Sequence, residues 1–394
     1  MRELRSIRIS EQILMARRWK EQTGPERPRP KRREAESRTR AREEQGWVMV
    51  GESLLYSDAA GLYCPRGGFH VDPWLPSACA VITHAHSDHA KSGCGVYYCS
   101  KTCEPLLRIR MGQGAVIVGV QYGERFRVGD ATLSFHPAGH VLGSAQVRIE
   151  GGEGGHGDVW VASGDYKRCS DPTCDPFEVV RCDTFITEAT FALPVYRWRE
   201  GWKTGDEMLA WWEGCQRAGK AAVLLGYSLG KVQRALAEIM LAGRRAGRPL
   251  GKLYMHGAAA ALTRAYRGLG VELPEVEPLP EKTKPAMLAG SLTVAPPGSE
   301  GTPWIRRFGA SDRFELAFAS GWMHIRGVRR RGGHDRGFAL SDHADWLGLN
   351  RTIAETGASR VLVTHGNIES FVRYLREKGV GAEPLKTVHS GEED

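Results

Sequence analysis

The stretch Ile82–Ala90 reads ITHAHSDHA and places three histidines and an aspartate within six positions. It follows directly from the short apolar run Ala78–Thr83, ACAVIT. A run of that length closed by polar residues reads as a buried strand with a loop at its C-terminal end. His84 and His86 lie two apart at that end, so their side chains can point the same way. Asp88 and His89 follow, where the loop can curl around a second ion. One ion cannot readily use four ligands from so short a segment, whereas two ions about 3.5–4 Å apart can share them. A chain built this way has to bring further ligands to the end of the same strand.

Other apolar runs end in the same manner. Ala131–His136 (ATLSFH) leads to Ala138-Gly139-His140, and Asp158–Ser163 (DVWVAS) leads to Gly164-Asp165. Thr184–Thr187 (TFIT) ends at Glu188, and Val361–Thr364 (VLVT) ends at His365. Rigid strands whose loops converge at one edge are a recurring way to gather a site. His140, Asp165 and His365 are therefore the expected additional ligands. Asp165 is the natural bridge, because a carboxylate has two oxygens and can touch both ions.

The middle of the chain has a different rhythm. Ala221–Leu225 (AAVLL) reads as a strand, Gly226–Lys231 (GYSLGK) as a glycine-rich turn, and Val232–Ala242 as a helix. Leu253–His256 and Leu292–Ala295 read as further strands, with Leu262–Leu269 helical between them. Residues of about 197–335 thus form an α/β unit of their own, with ligand-like residues on both sides. This is the pattern of an insertion within a host domain. A helix N-terminus presents N–H groups to anions, and Ser228 and Lys231 add a hydroxyl and a charge. Ser228, Gly230 and Lys231 are accordingly expected to form a pocket for a nucleic-acid phosphate. An ordinary strand–helix turn capped by Ser228 is the alternative, and the turn is too short for a nucleotide-binding phosphate loop.

The length of 394 residues accommodates two domains, or one domain with a large insertion. With 25% charged and 41% hydrophobic residues, the composition is that of an ordinary soluble protein. It contains no run of about 18 apolar residues and no N-terminal apolar core of a signal peptide, so a cytoplasmic protein without membrane contact is expected. The net charge is +8, of which residues 1–45 supply +6. That segment, with its Arg27–Arg33 run RPRPKRR, is expected to be a flexible basic extension able to track phosphates. The nine cysteines lack the paired two-residue spacing of a zinc ribbon and are expected to be reduced and structural. Arg306-Arg307 and Arg329-Arg330-Arg331 are candidates to line a groove, and Trp322, Tyr227 or Phe191 to stack a base.

His84-Ala85-His86-Ser87-Asp88-His89 resembles the HxHxDH signature of metallo-β-lactamase-fold hydrolases, with Asp72 in HVDPW similar to their preceding acidic motif. Glu188 in TEATF, His343 in SDHAD and His365 in VTHG resemble the motifs of the β-CASP nucleases within that fold. The stretches GLYCPRGGFHVDPW, FHPAGHVLGSAQV, SGDYKRCSDPTCDPF, ITEATFALPV and SGWM look like the bacterial DNA ligase-associated exonucleases, with a more distant echo of the Artemis group. The resemblance covers about residues 46–380. It implies an αββα sandwich with an inserted α/β cap domain. The parts would be an extension 1–45, a first host segment 46–196, a cap 197–335 and a return segment 336–394.

By this resemblance His84, His86 and His140 hold one metal ion. Asp88, His89 and His365 hold another, and Asp165 bridges. Asp72 braces the histidines, and Glu188 supports the site. Asp88, Asp165 and His343 carry catalysis, with His343 as general acid beside the scissile phosphate. Asp345 either orients His343 or caps a helix. The implied cofactors are two divalent ions, zinc first and manganese as the alternative. The implied activity is a DNA exonuclease acting on single-stranded DNA, 5′→3′, in repair end processing, with an ATP-dependent DNA ligase as a partner. The alternative is a β-CASP ribonuclease, because His365 stands where RNA-acting members carry His. A small-molecule metallohydrolase leaves His343, Glu188 and the insertion without a role.

Overall fold

The computed structural model describes residues 53–151, 157–199, 201–327 and 333–385. The basic segment 1–45 and Arg329-Arg330-Arg331 lie outside the described residues. The apolar runs form three sheets. The first follows chain order: β1 (Tyr56–Ser57), β2 (Leu62–Cys64), β3 (Phe69–Val71), β4 (Cys79–Val81), β5 (Val96–Ser100) and β6 (Ile117–Val120). Pairing is antiparallel from β1 to β3 and parallel from β3 to β6.

The second sheet sets β7 (Phe126–Val128), β8 (Ala131–Pro137), β9 (Ala145–Glu150), β10 (Val159–Ala162) and β11 (Thr184–Ala189) side by side. Its next neighbours come from the far end of the chain: β18 (Arg360–Gly366) pairs parallel to β11, and β19 (Gly381–Pro384) lies outermost. Most of the chain between β11 and β18 is thus spliced into a host sheet, the helix Trp346–Thr356 excepted. That intervening chain builds the third, wholly parallel sheet. Its order is β14 (Glu277–Pro278), β13 (Leu253–Met255), β15 (Leu292–Ala295), β12 (Ala221–Leu225), β16 (Phe314–Ala319) and β17 (Arg336–Phe338). The expected return at residue 336 therefore falls too early, because β17 still pairs with β16.

Side-chain alternation explains the layering. Ile186 and Leu362 point between the first and second sheets, into one core with Phe69, Val71, Val81 and Phe135. Their neighbours Phe185, Val361 and Val363 point to the opposite face, as a period of two requires. There they meet Leu349 and Ile353 of helix α5 (Trp346–Thr356) and Phe371 and Leu375 of helix α6 (Ile368–Glu377). On the outside of the first sheet, Ala80 and Tyr97 pack against Leu106 and Leu107 of helix α1 (Glu104–Met111). The host is therefore layered helix, sheet, sheet, helix. Each buried Leu, Phe or Val contributes roughly 1.5–3 kcal/mol.

In the third sheet β12 is buried on both faces, as a central parallel strand should be. Ala222 and Leu224 face helices α2 (Gly201–Arg217) and α3 (Lys231–Arg245), whereas Val223 and Leu225 face short 3-10 turns. Helix α4 (Gly257–Gly268) begins five residues before the sequence expectation, because the His256 side chain accepts the Ala258 N–H at 3.1 Å and caps it there. Helix α5 is capped by Asp345, which accepts the Gly348 N–H at 2.7 Å, and stops at Gly357 with φ +67°. All nine cysteines are free thiols. No described helix is long and apolar enough to cross a membrane.

Beyond β10 the chain turns at Gly164, φ +56°, where an added Cβ would sit 2.6 Å from the Thr83 side chain. Gly164→Ala is expected to cost about 1–3 kcal/mol from the left-handed backbone alone, with the contact adding to it. A urea midpoint equal to that of the parent protein would contradict this reading of the turn.

Candidate metal centre

The strand ends converge where the sequence pattern asks them to. Asp72 leaves β3 with φ +43°, a conformation that non-glycine residues seldom adopt. Its carboxylate accepts the Thr83 N–H at 2.8 Å, the Thr83 hydroxyl at 2.6 Å and His89 Nδ1–H at 2.7 Å. Thr83 Oγ1 in turn accepts His84 Nδ1–H at 3.0 Å. One carboxylate thus fixes the rings of His84 and His89 and leaves Nε2 of each for another partner. His86 donates Nε2–H to the Leu229 carbonyl at 3.2 Å, which leaves Nδ1. His140 donates Nδ1–H to the main-chain carbonyl of Asp342 at 2.8 Å, which leaves Nε2.

The nitrogens left over face one another. His84 Nε2 and His86 Nδ1 are 3.0 Å apart, and His140 Nε2 is 3.1 Å from His86 Nδ1. Asp165 Oδ2 completes the group at 3.7 Å from His84 and 3.8 Å from His140. With their protons committed elsewhere, these imidazoles direct lone pairs at a common point, and a cation among them relieves the repulsion. Zinc bound to nitrogen at 2.0–2.1 Å in tetrahedral geometry needs ligand separations of about 3.3 Å. The donor set and its spacing therefore suit a metal ion.

A second group joins Asp165 to Glu188 and His343, with donor atoms again within 4.8 Å of one another. His343 donates Nδ1–H to Glu188 Oε2 at 2.8 Å, and Glu188 Oε1 accepts the Tyr166 N–H at 2.8 Å. Both Glu188 oxygens are engaged, so its work is to position His343. Asp345 takes the helix-cap role instead, accepting N–H groups of Gly348 and Trp198. Asp88, His89 and His365 stand beside these groups. His89 Nε2 is 3.6 Å from Asp88 and 3.4 Å from Asp165, and the His365 ring centre is 5.5 Å from that of His89. The donors of the expected second ion are thus gathered around His89 more loosely than those of the first. A small cavity of about 60 Å³ runs alongside, lined by Asp88, His89 and His365 and by the apolar Leu62, Val71 and Ile186.

Charge is distributed unevenly over the site. Burial, and then the neighbouring His89, His140 and His86, push His84 well below the ordinary histidine range. Burial and His343 do the same to His140. Both rings are therefore neutral and ready to bind. For His89 burial works against the proton, but Asp165, Asp88 and Asp72 outweigh it and raise the ring well above its ordinary value. Burial opposes the Asp165 charge, while His89 and His343 outweigh it and hold the carboxyl well below its usual range.

The expected phosphate pocket has another occupant. The Lys231 ammonium is 2% exposed, lies 3.3 Å from Asp342 and sits 4.4 Å over the Tyr227 ring. The Gly230 N–H is taken by the Gln233 side chain at 2.8 Å. Ser228 is half-buried, and its carbonyl accepts from Gln233. The charge read as phosphate-binding is thus engaged by an internal carboxylate and an aromatic ring. Phe191 is fully buried, and Trp322 packs on it at 4.7 Å between ring centres. Arg306 and Arg307 sit on a 3-10 turn against the third sheet. Thr83, Leu229 and Asp342 escaped the sequence reading. Two act through main-chain carbonyls, which carry no residue-type signal, and Thr83 reads simply as a strand residue.

No family model matches the chain. A probable DNA ligase from Opitutus terrae is 29% identical over 323 residues, covering 82% of this chain and 30% of that protein. The transcription termination factor FttA from Methanosarcina mazei is 31% identical over 165 residues, covering 33% of this chain and 25% of that protein. The chain thus spans less than a third of the curated relatives it matches. A solved structure of a protein of unknown function from Enterococcus faecalis V583 superposes with a TM-score of 0.52, at 12% identity over 80% of each chain. That likeness concerns the fold.

The unequal charge states have a direct readout. At pH 7 a metal ion seated on His84, His86 and His140 is expected to displace no proton from His84 or His140. Engagement of His89 is expected to release about one. Zinc titration of metal-free protein in weak buffer checks this. A second equivalent bound without proton release would show that His89 stays protonated or unligated.

Proposed function

We propose that the chain is a metal-dependent phosphodiesterase of the metallo-β-lactamase fold that degrades DNA from an end, with the inserted sheet as a β-CASP-type cap. The observation that carries this reading is the convergence of His84 Nε2, His86 Nδ1, His140 Nε2 and Asp165 Oδ2 with every opposite nitrogen already committed. The layered host with an inserted parallel sheet supports it. So does the name of the Opitutus terrae relative, a DNA ligase matched over 82% of this chain, which also supports work at DNA ends beside a ligase. The cap in this reading begins near residue 197 and extends through Phe338.

In this reading His84, His86, His140 and Asp165 hold one divalent ion, zinc or manganese. Asp88, His89 and His365 would hold a second, with Asp165 within 3.4 Å of His89 and so within reach of both groups. Ions bound there supply Lewis acidity and water of lowered pKa at neutral pH. The protein's own part is orientation and proton transfer. Glu188 accepts the Nδ1–H of His343, so only Nε2 of the doubly protonated ring is left to give a proton to the leaving oxygen, after which the ring is neutral with Nδ1–H still held. Asp72 keeps the rings of His84 and His89 in register, directly and through Thr83. The FttA relative and His365 favour RNA as the second reading.

End-labelled single-stranded DNA and RNA of one sequence, with and without a 5′ phosphate, separate these readings. Stepwise mononucleotide release from the 5′ end of DNA is expected. Preference for RNA, or internal cuts, would move the chain to the ribonuclease reading. Asp165→Asn is expected to abolish cleavage and lose metal. His343→Ala is expected to keep its metal and lose about 10²–10⁴ in kcat. Loss of metal from His343→Ala would contradict the proton-donor role.

A further inference from the structure

The seam between the inserted unit and the host contains a buried ionic cluster that the proposed reaction does not use. The Asp342 carboxylate is 1% exposed and has no hydrogen-bond partner for either oxygen. Lys231 Nζ lies 3.3 Å from one oxygen and Arg234 Nη1 3.6 Å from the other. Both cations are themselves buried and come from the first turn of α3 in the inserted unit. Arg234 also reaches the host through Asp171, at 3.3 Å, and donates to the Ser341 carbonyl. Asp171 is in turn paired with the buried Lys167. Burial opposes the Asp171 charge, but Lys167 and Arg234 outweigh it and bring the carboxyl down to about 2.

Burying so many charges is expensive, and such a pair is weak support for stability in itself. Its position suggests another use. The main-chain carbonyl of Asp342 is the group that orients His140. The residue before Lys231 is Gly230, with φ +89°, where an added Cβ would lie 2.5 Å from Val141 Cγ1. The residue before that is Leu229, whose carbonyl orients His86. Tyr266 of α4 closes the same seam, its hydroxyl accepting the Leu142 N–H at 3.2 Å. Two of the three inward-facing histidines thus take their orientation from carbonyls at this seam, one of them belonging to the inserted unit.

We propose that Lys231, Arg234 and Asp342 form an electrostatic latch that seats the inserted unit on the host and thereby completes the metal centre. They are positioning residues. With the latch closed, Leu229 and Asp342 hold His86 and His140 in the tautomers that leave Nδ1 and Nε2 for metal. With the charge balance broken, the chain around Asp342 shifts to find a new partner for the buried carboxylate. The carbonyl that fixes His140 moves with it. Retention of metal is then a measure of cap seating. This rests on the metal reading of the four-donor group.

Zinc affinity of the metal-free protein, measured by competition with a chelator, tests the latch without reference to any nuclease assay. Lys231→Met and Asp342→Asn are expected to weaken zinc binding by about 10–100-fold, the range typical of lost orienting partners. Lys231→Arg, which keeps the charge, is expected to recover most of the loss. Arg244→Ala, on the same helix as Lys231 but in an exposed ion pair with Glu272, is expected to leave affinity unchanged. Unaltered affinity in Lys231→Met and Asp342→Asn would overturn the latch while leaving the metal centre standing. If Lys231→Met fails to fold, Asp342→Asn against Lys231→Arg decides the matter. Absence of zinc binding in the parent protein would overturn the metal reading and the latch together.

Discussion

The parallel pairing of Thr184–Ala189 with Arg360–Gly366 is the contact on which the architecture depends. It closes the host sheet across the whole inserted unit. It also aligns two strand ends that carry Glu188 and His365. A one-residue slip would turn Phe185 and Ile186 to the wrong faces and empty two cores at once. The register therefore follows from burial on both sides. The shift between Glu188 and Ala189 marks where regular pairing gives way to the site. Beyond it His365 takes a left-handed conformation at φ +55°, and Gly366 follows at φ +74° against the Ala189 carbonyl. Among the described residues, the two non-glycine residues with positive φ, Asp72 and His365, both lie at the edge where the functional groups are presented.

The site is organised from its periphery. Asp72, Leu229, Asp342 and Glu188 each accept the N–H on the far side of a histidine, directly or through Thr83. Outer partners of this kind choose which nitrogen is available. Neutral and protonated imidazoles coexist within a few ångströms for another reason: burial disfavours the charge on each ring, and the neighbours decide whether it is offset. His84 and His140 are surrounded by other rings, whereas His89 is surrounded by carboxylates.

Much of this was legible in the sequence. Strand ends could be read because short apolar runs closed by polar residues have few other interpretations. His84, His86, His140 and Asp165 could be grouped because each stands at such an end. The insertion was visible from the interruption of that pattern, although β17 prolongs it beyond the expected boundary. Helix α2 was missed, since Met208, Trp211 and Trp212 face a sheet that only the tertiary fold supplies. Lys231 was misread for an instructive reason. A lysine at a helix N-terminus after a glycine looks like an anion site, and only the return of Asp342 from more than a hundred residues later shows that the anion is internal. Similarly, Asp345 and Glu188 are both acids near His343 in kind, and geometry alone assigns one to the helix cap and the other to the imidazole.

The central claim is that imidazoles with committed outer nitrogens form a metal centre. Anomalous X-ray scattering from crystals grown with zinc tests it most directly. One strong peak is expected enclosed by His84, His86, His140 and Asp165, and a second on the side of His89, Asp88 and His365. Crystals that bind zinc only at surface residues, with the four-donor group empty, would contradict it.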